Sequence, residues 1–441
     1  MRRIYSVVIL ACAFLVSCGT DEGFTFSPTP SGRLTVINAI PTSPELTVVT
    51  NNLRSGLISF GQTTGNSTVL PQIPIGLAVS FLNDTVVQTV LDQQVTIDVD
   101  GSQIVVLTGS LDNTTAINII EAPFSYETGT TDTRIRFLNA TTNVASATVN
   151  LTNPNGNDES IAMTNGQPTG FTTATAGGGN QIEVRDTSTN AVLWRSGDFF
   201  LTPGADRLIM LLDYFGPGDE TVRLVSLNDP SGTVLFPNEE LVSAVRFVNQ
   251  TATNGQLDFR VDGAIAASLN FGDVSDFIEF SPGSKTFSIT PAGDPTTELN
   301  SVDRILFLGS FQTIHAAVND DNTGINTSIL SSDRRPIATL SQVSITKLSP
   351  AVPTVDMYFQ DSGEALTGTP DITGLTNFNP GTISLRPKSY DLYVTEAGNA
   401  NILIGPTPLN LESLGIYTIQ ITDAAGGGTP LRLVLLDDFL N

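Results

Sequence analysis

The chain has 441 residues, 20 of them basic against 44 acidic, and a formal net charge of −24 at pH 7. Only Lys285, Lys347 and Lys388 are lysines, which excludes nucleic acid as a partner, because a phosphate backbone is bound by a dense Lys/Arg surface. Both cysteines, Cys12 and Cys18, lie at the N-terminus, so the rest of the chain can form no disulfide, Cys-based metal site or Cys nucleophile.

Arg2 and Arg3, an apolar run from Val7 to Val16 and the small Ser17 before Cys18 have the layout of a secretory signal over residues 1–17. The run is shorter than the roughly 20 apolar residues of a spanning helix, and Cys12 sits in it as a small hydrophobe. The tetrad Leu15-Val16-Ser17-Cys18 resembles the lipobox of bacterial lipoproteins. That resemblance implies signal-peptidase recognition through Leu15, Val16 and Ser17, and a mature chain that begins at a lipid-modified Cys18. Gly19 and Thr20 follow, where enterobacterial lipoproteins retained in the inner membrane carry Asp. The expected address is therefore the cell envelope, at the outer membrane and facing the periplasm or the cell surface. The membrane is a partner through the N-terminal lipid. Residues 18–32, rich in Gly, Ser, Thr and Pro after Cys18, read as a flexible tether. No later apolar run approaches spanning length.

Beyond the tether one opening strand recurs, as RLTVINA from Arg33, RIRFLNA from Arg134, AVRFVNQ from Ala244 and QVSITKL from Gln342. Leu34, Ile135, Val245 and Val343 align, as do Val36, Phe137, Phe247 and Ile345. The period-two alternation predicts strands with one buried face. Asn38, Asn139 and Asn249 end the first three openers, and Lys347 replaces them in the fourth. Each copy closes with an apolar strand, an acidic or Gly-rich turn and a second apolar strand, the pattern of a hairpin. The spacing of about 100 residues is that of a sandwich domain. The expected fold is thus all-β: four Ig-like β-sandwiches in tandem, over residues 33–126, 127–232, 233–336 and 337–441. Their connectors, near 123–133, 228–240 and 333–340, are short enough that neighbours should pack or articulate as a rod.

In the fourth copy Ser349-Pro350 leads into Val355-Asp356-Met357-Tyr358, followed by LRPKSYDLYVTEAG and a closing hairpin from Tyr417 to Asp438. This resembles the bacterial domain-of-unknown-function family 4397, whose copies open on a His-Ala-Ser-Pro run and a Val-Asp-Val-Tyr strand. Lys347 stands where that family has His. Leu257-Asp258-Phe259 preserves the Asp in the third copy, and the first two copies lose it. The resemblance implies Ig-like sandwiches in an envelope or secreted protein and carries no activity with it.

Candidate chemistry is sparse. His315 is the sole histidine, and no Gly-x-Ser-x-Gly elbow accompanies it, so it reads as a sheet residue rather than a general base. Any metal would need oxygen ligands; the stretches to weigh for calcium are Asp98-Val99-Asp100-Gly101, Asn319-Asp320-Asp321-Asn322 and Asp437-Asp438. None completes an EF-hand, and alternating strand residues face opposite ways. The runs Gly177–Gly179 and Gly426–Gly428 lead into no Gly-Lys-Ser/Thr, which argues against a phosphate loop. Trp194 reads as core or as an interdomain seam. Asp356 is the residue to watch, as a hydrogen-bond fastener or a binding group, since Asp is disfavoured in strands unless its oxygens find partners. The expectation is a non-enzymatic envelope module without a cofactor, presenting a protein or polysaccharide ligand with loops and strand faces. The alternatives are a glycan hydrolase acting through paired carboxylates and a calcium-stiffened adhesin.

Overall fold

The computed structural model describes residues 30–438, apart from 84, 122–130, 229–231, 237 and 239. The signal, the tetrad Leu15 to Cys18 and the tether up to residue 29 lie outside the described residues. What is described is all-β, with 34 strands and no helix.

The strands fall into four successive pairs of sheets. The opener Gly32–Asn38 pairs in parallel with Ser102–Ser110, Val36 opposite Val105, and that strand turns back antiparallel as Asn113–Glu121. The openers Asp132–Asn139, Ser243–Gln250 and Ser341–Leu348 pair in the same way with Asp206–Asp213, Phe311–Val318 and Ile416–Thr422. A second, antiparallel sheet faces each of these. In unit 4 its order is Ile372–Thr376, Thr354–Asp361, Ser389–Glu396, Ile402–Asn410. The aligned pairs Leu34/Val36, Ile135/Phe137, Val245/Phe247 and Val343/Ile345 all enter the core of their own sandwich.

The openers depart from expectation on their other face, much of which is also covered, although Asp132 and Arg134 stay exposed in unit 2. Ser243–Gln250 is buried at every position, because the sheet that holds each opener packs against another unit. Between units 1 and 2 the cover is apolar: Ile37, Ile104 and Val106 meet Leu138, Leu208 and Met210 in one shared core. Such burial removes oily surface from water at ~25 cal/mol per Å² and resists separation of the two units.

Units 3 and 4 meet through polar side chains at the same strands. Arg246 is held bidentate by Asp438, with Nη2 2.8 Å from Oδ2. Its Nε donates to Thr313 Oγ1 at 2.9 Å, and Thr418 donates to the same carboxylate at 2.7 Å. Gln250 Nε2 donates to Gln420 at 2.8 Å. A buried pair of this kind adds little net stability but fixes register, since each charge needs its partner.

The array is also more closed than a simple rod. The connector between units 3 and 4 returns to unit 1, where Arg335 Nη1 donates to the carbonyls of Pro41 at 3.0 Å and Ser43 at 2.8 Å. The Ala338 N–H donates to Thr42 O at 2.8 Å. These long-range contacts use backbone carbonyls, which leave no mark in a sequence.

Candidate functional site

Asp356 has both carboxylate oxygens occupied. Oδ1 accepts the Gly374 N–H at 2.7 Å and Oδ2 the Gly398 N–H at 2.8 Å. It lies where the register with the neighbouring strand shifts between Val355 and Met357, so it ties a bulge to the turn after Ser389–Glu396. In unit 3 Asp258 does the same work: it accepts from Ser268 Oγ at 2.5 Å and from Gly293 N–H at 3.0 Å. Those two bonds hold its carboxyl below the usual carboxylate range. Both residues are fasteners in geometry, with little of either carboxylate left for a ligand.

His315 is fully buried in the strand that faces unit 4. Burial, and then the Arg246 charge, push its pKa down to about 3. Neither ring nitrogen makes a full hydrogen bond, the Ser328 backbone giving only slight support to the protonated form. A neutral imidazole walled off from solvent has no nucleophile to activate. Lys347, at the family's His position, is buried too, and donates to the Ser349 carbonyl. Its pKa falls to about 8 through burial, with Asp320 and Asp423 acting in the opposite direction.

Trp194 fills the unit 2 core and meets Phe236 edge-on at 6.3 Å. The acidic stretches weighed for calcium are tied into turns and contacts. Asp98 O accepts the Gly101 N–H at 2.9 Å, Asp321 Oδ1 the Thr323 N–H at 3.0 Å, and Asp320 reaches across to Asn377 at 2.9 Å. Asp438 is taken by Arg246. Among the described residues no three His, Cys, Asp or Glu groups converge as a metal site would require. Gly427 and Gly428 have φ of 83° and 71° in the closing turn of unit 4, where glycine alone is unstrained.

The cleft that sequence reasoning missed lies where units 1, 2 and 3 meet, with a volume of about 280 Å³. Its charged wall is Arg223 from unit 2 and Arg334 and Arg335 from the connector, against one carboxylate, Asp333. Its aromatic wall is Phe60 from unit 1, Tyr214 and Phe215 from unit 2, and Phe311 from unit 3. Arg223 lies over the Phe60 ring at 4.9 Å and Arg334 over Phe311 at 4.9 Å, while Phe60 meets Phe215 edge-on at 6.1 Å. The approach depends on glycines. A Cβ on Gly61 would stand 2.7 Å from Arg223 Nη2, and one on Gly309 2.5 Å from the Tyr214 hydroxyl, both glycines having positive φ. The available signal was the Arg334-Arg335 doublet, an unusual pair in so acidic a chain.

No curated protein matches this chain. Among solved structures the Bacillus anthracis TIE protein aligns at 11% identity with a TM-score of 0.16, over 85% of this chain and 65% of that one. This chain thus spans under two thirds of that protein's length, and the likeness bears on neither fold nor function. The family comparison is more specific: residues 243–358, from the opening strand of unit 3 into the second strand of unit 4, match the family DUF4397, a domain of unknown function.

Proposed function

We propose that this protein is a non-enzymatic, lipid-anchored component of the cell envelope whose Ig-like units act together as a binding, adhesion or scaffolding body. The observation that supports this most is the bracing of the units. A shared apolar core joins units 1 and 2, a buried Arg246–Asp438 lock joins units 3 and 4, and Arg335 ties the connector back to unit 1. A body held in this way presents its outer loops and sheet edges in fixed relative positions, which lowers the ordering cost of binding a large or repeated partner. The lipid on Cys18 and the tether to residue 32 would supply attachment and reach, and the acidic surface would repel anionic lipid heads.

The test is fractionation of cells that express the protein tagged after Asn441, followed by protease treatment of intact and lysed cells. Retention with membranes, lost on Cys18→Ala, is the expected result, and digestion on intact cells would put the body at the surface. A Cys18→Ala protein that stays with the membrane would overturn the anchoring.

A further inference from the structure

We infer that the cleft among Phe60, Arg223 and Arg335 is a binding site for a small organic oxyanion, a carboxylate or phosphate carried on a ring no larger than a monosaccharide. This goes beyond the proposed envelope role and does not depend on where the protein resides.

A chain with net charge −24 gathers three guanidinium groups around one cavity and places a single carboxylate, the exposed Asp333, beside them. Asp333 Oδ1 is itself used by the Arg335 N–H at 3.0 Å. Arg335 and Arg334 spend donors on carbonyls, of Pro41 and Ser43 for the first and of Asp438 for the second, so that only the carboxylates of Asp333 and Asp438 offset their charge. Arg223 makes no hydrogen bond or ion pair among the described residues, and its Nε is buried without a partner. Buried unpaired donors are costly, and Arg334 Nε, the Tyr214 hydroxyl and Ser332 Oγ on the same walls are in the same state. Loss of water, and for Arg223 the repulsion from Arg335, outweigh the attraction of Asp333 and disfavour the charged forms of both cations. An anion in the cleft would offset the guanidinium charge, because guanidinium forks match the paired oxygens of carboxylate and phosphate.

Size and wall chemistry narrow the class. A volume of about 280 Å³ lies at the lower end of small-molecule sites. The rings of Phe60, Phe215 and Phe311 offer an apolar face to whatever carries the charge. An inorganic ion alone would leave those rings unused. A uronic acid, a sugar phosphate or a small aromatic acid would fill both walls. The same oxyanion could arrive as a free metabolite or as the terminal residue of an acidic polymer.

The experiment is titration calorimetry on the whole mature chain with glucuronate, glucose 6-phosphate and inorganic phosphate, and with glucose as the neutral control. The expected result is saturable binding of the first two that weakens as salt rises, weaker binding of phosphate and none of glucose. Arg223→Gln should lower affinity tenfold or more, the scale of one charge-assisted hydrogen bond. Arg386→Gln, at an exposed arginine of unit 4, should leave it unchanged. Without ligand, Arg223→Gln should melt within a few degrees of the parent, because the cation it removes has no hydrogen-bond or ion-pair partner and gives up only its contact with the Phe60 ring. Tighter binding of an acidic oligosaccharide than of its monomer would identify a polymer as the source, and equal binding a free acid. Failure of every anion to bind at 10 mM would overturn the inference, as would undiminished binding by Arg223→Gln or a drop in its ligand-free melting temperature larger than loss of the Phe60 contact explains.

Discussion

Replacing Asp356 by Asn tests how unit 4 is held together. Asp356 is 6% exposed, and its carboxylate accepts two backbone N–H groups at 2.7 and 2.8 Å, from Gly374 and Gly398. Asn keeps the shape but offers only one accepting oxygen, so its amide NH₂ must point at the other N–H. One charge-assisted bond is lost, the second is weakened, and two donors face each other in a buried site. Bonds to charged groups contribute about 1.5–3 kcal/mol each, and a stranded buried donor costs a similar amount. The expected loss is therefore about 3 kcal/mol, which lowers the melting of a unit of this size by roughly 10 °C or more. Differential scanning calorimetry would read it as a transition leaving the main peak, with hydrogen exchange locating the change in Thr354–Asp361 and Ser389–Glu396. Asp391→Asn is the control, since Asp391 accepts the Gly363 N–H at a solvent-exposed site. An Asp356→Asn shift no larger than that of the control would refute the fastener and return Asp356 to the candidates for ligand binding.

Two further outcomes follow from the seams between units. Met210, fully buried in the core shared by units 1 and 2, should cost about 2–5 kcal/mol on change to Ala; a urea midpoint within error of the parent would mean that the two units do not share that core in solution. Lys347 gives a pH signature. Its folded pKa, about 8, lies below the 10.5 of an ordinary lysine, so between those values the unfolded chain binds more protons and stability rises with pH. The penalty of burying the charged form is fully present below about pH 8 and is relieved as pH approaches 10.5. Urea midpoints for the parent relative to Lys347→Met should therefore improve from pH 7.5 to 10, by an amount on the order of 1–3 kcal/mol. A difference independent of pH would show that the lysine is solvated.

The sandwiches were legible because a core imposes period two on a strand: Leu34/Val36 and Phe137 with its counterparts Phe247 and Ile345 repeat at the spacing of a domain, and all enter the cores that alternation implies. The second buried face was not legible. Ile37 against Met210 and Arg246 against Asp438 look, in sequence, like unrelated residues on the outer side of a sheet. Their partners lie in another unit, and no local period encodes which unit that is. Asp356 could be read because Asp in a strand needs a reason, whereas Lys347 showed only as a departure from the family pattern that unit 4 resembles. The arginine cleft escaped because it is assembled from a strand end at Phe60, a hairpin at Tyr214 and a connector at Arg334-Arg335. Each of these alone looks like an ordinary turn.

Closure of the chain onto itself is the claim on which the braced body and the cleft both rest, and a cross-link between unit 1 and the last connector tests it most directly. The Ala338 N–H bonds to Thr42 O at 2.8 Å, which brings the two backbones near the separation a disulfide spans, Cα to Cα about 5.5 Å. In a chain that starts after Cys18, Thr42→Cys with Ala338→Cys supplies the only two thiols. A monomeric disulfide is expected under mild oxidation, visible as faster non-reducing migration reversed by dithiothreitol, with melting unchanged or raised. Free thiols under the same conditions, or cross-linking only between molecules, would contradict it and restore an open rod.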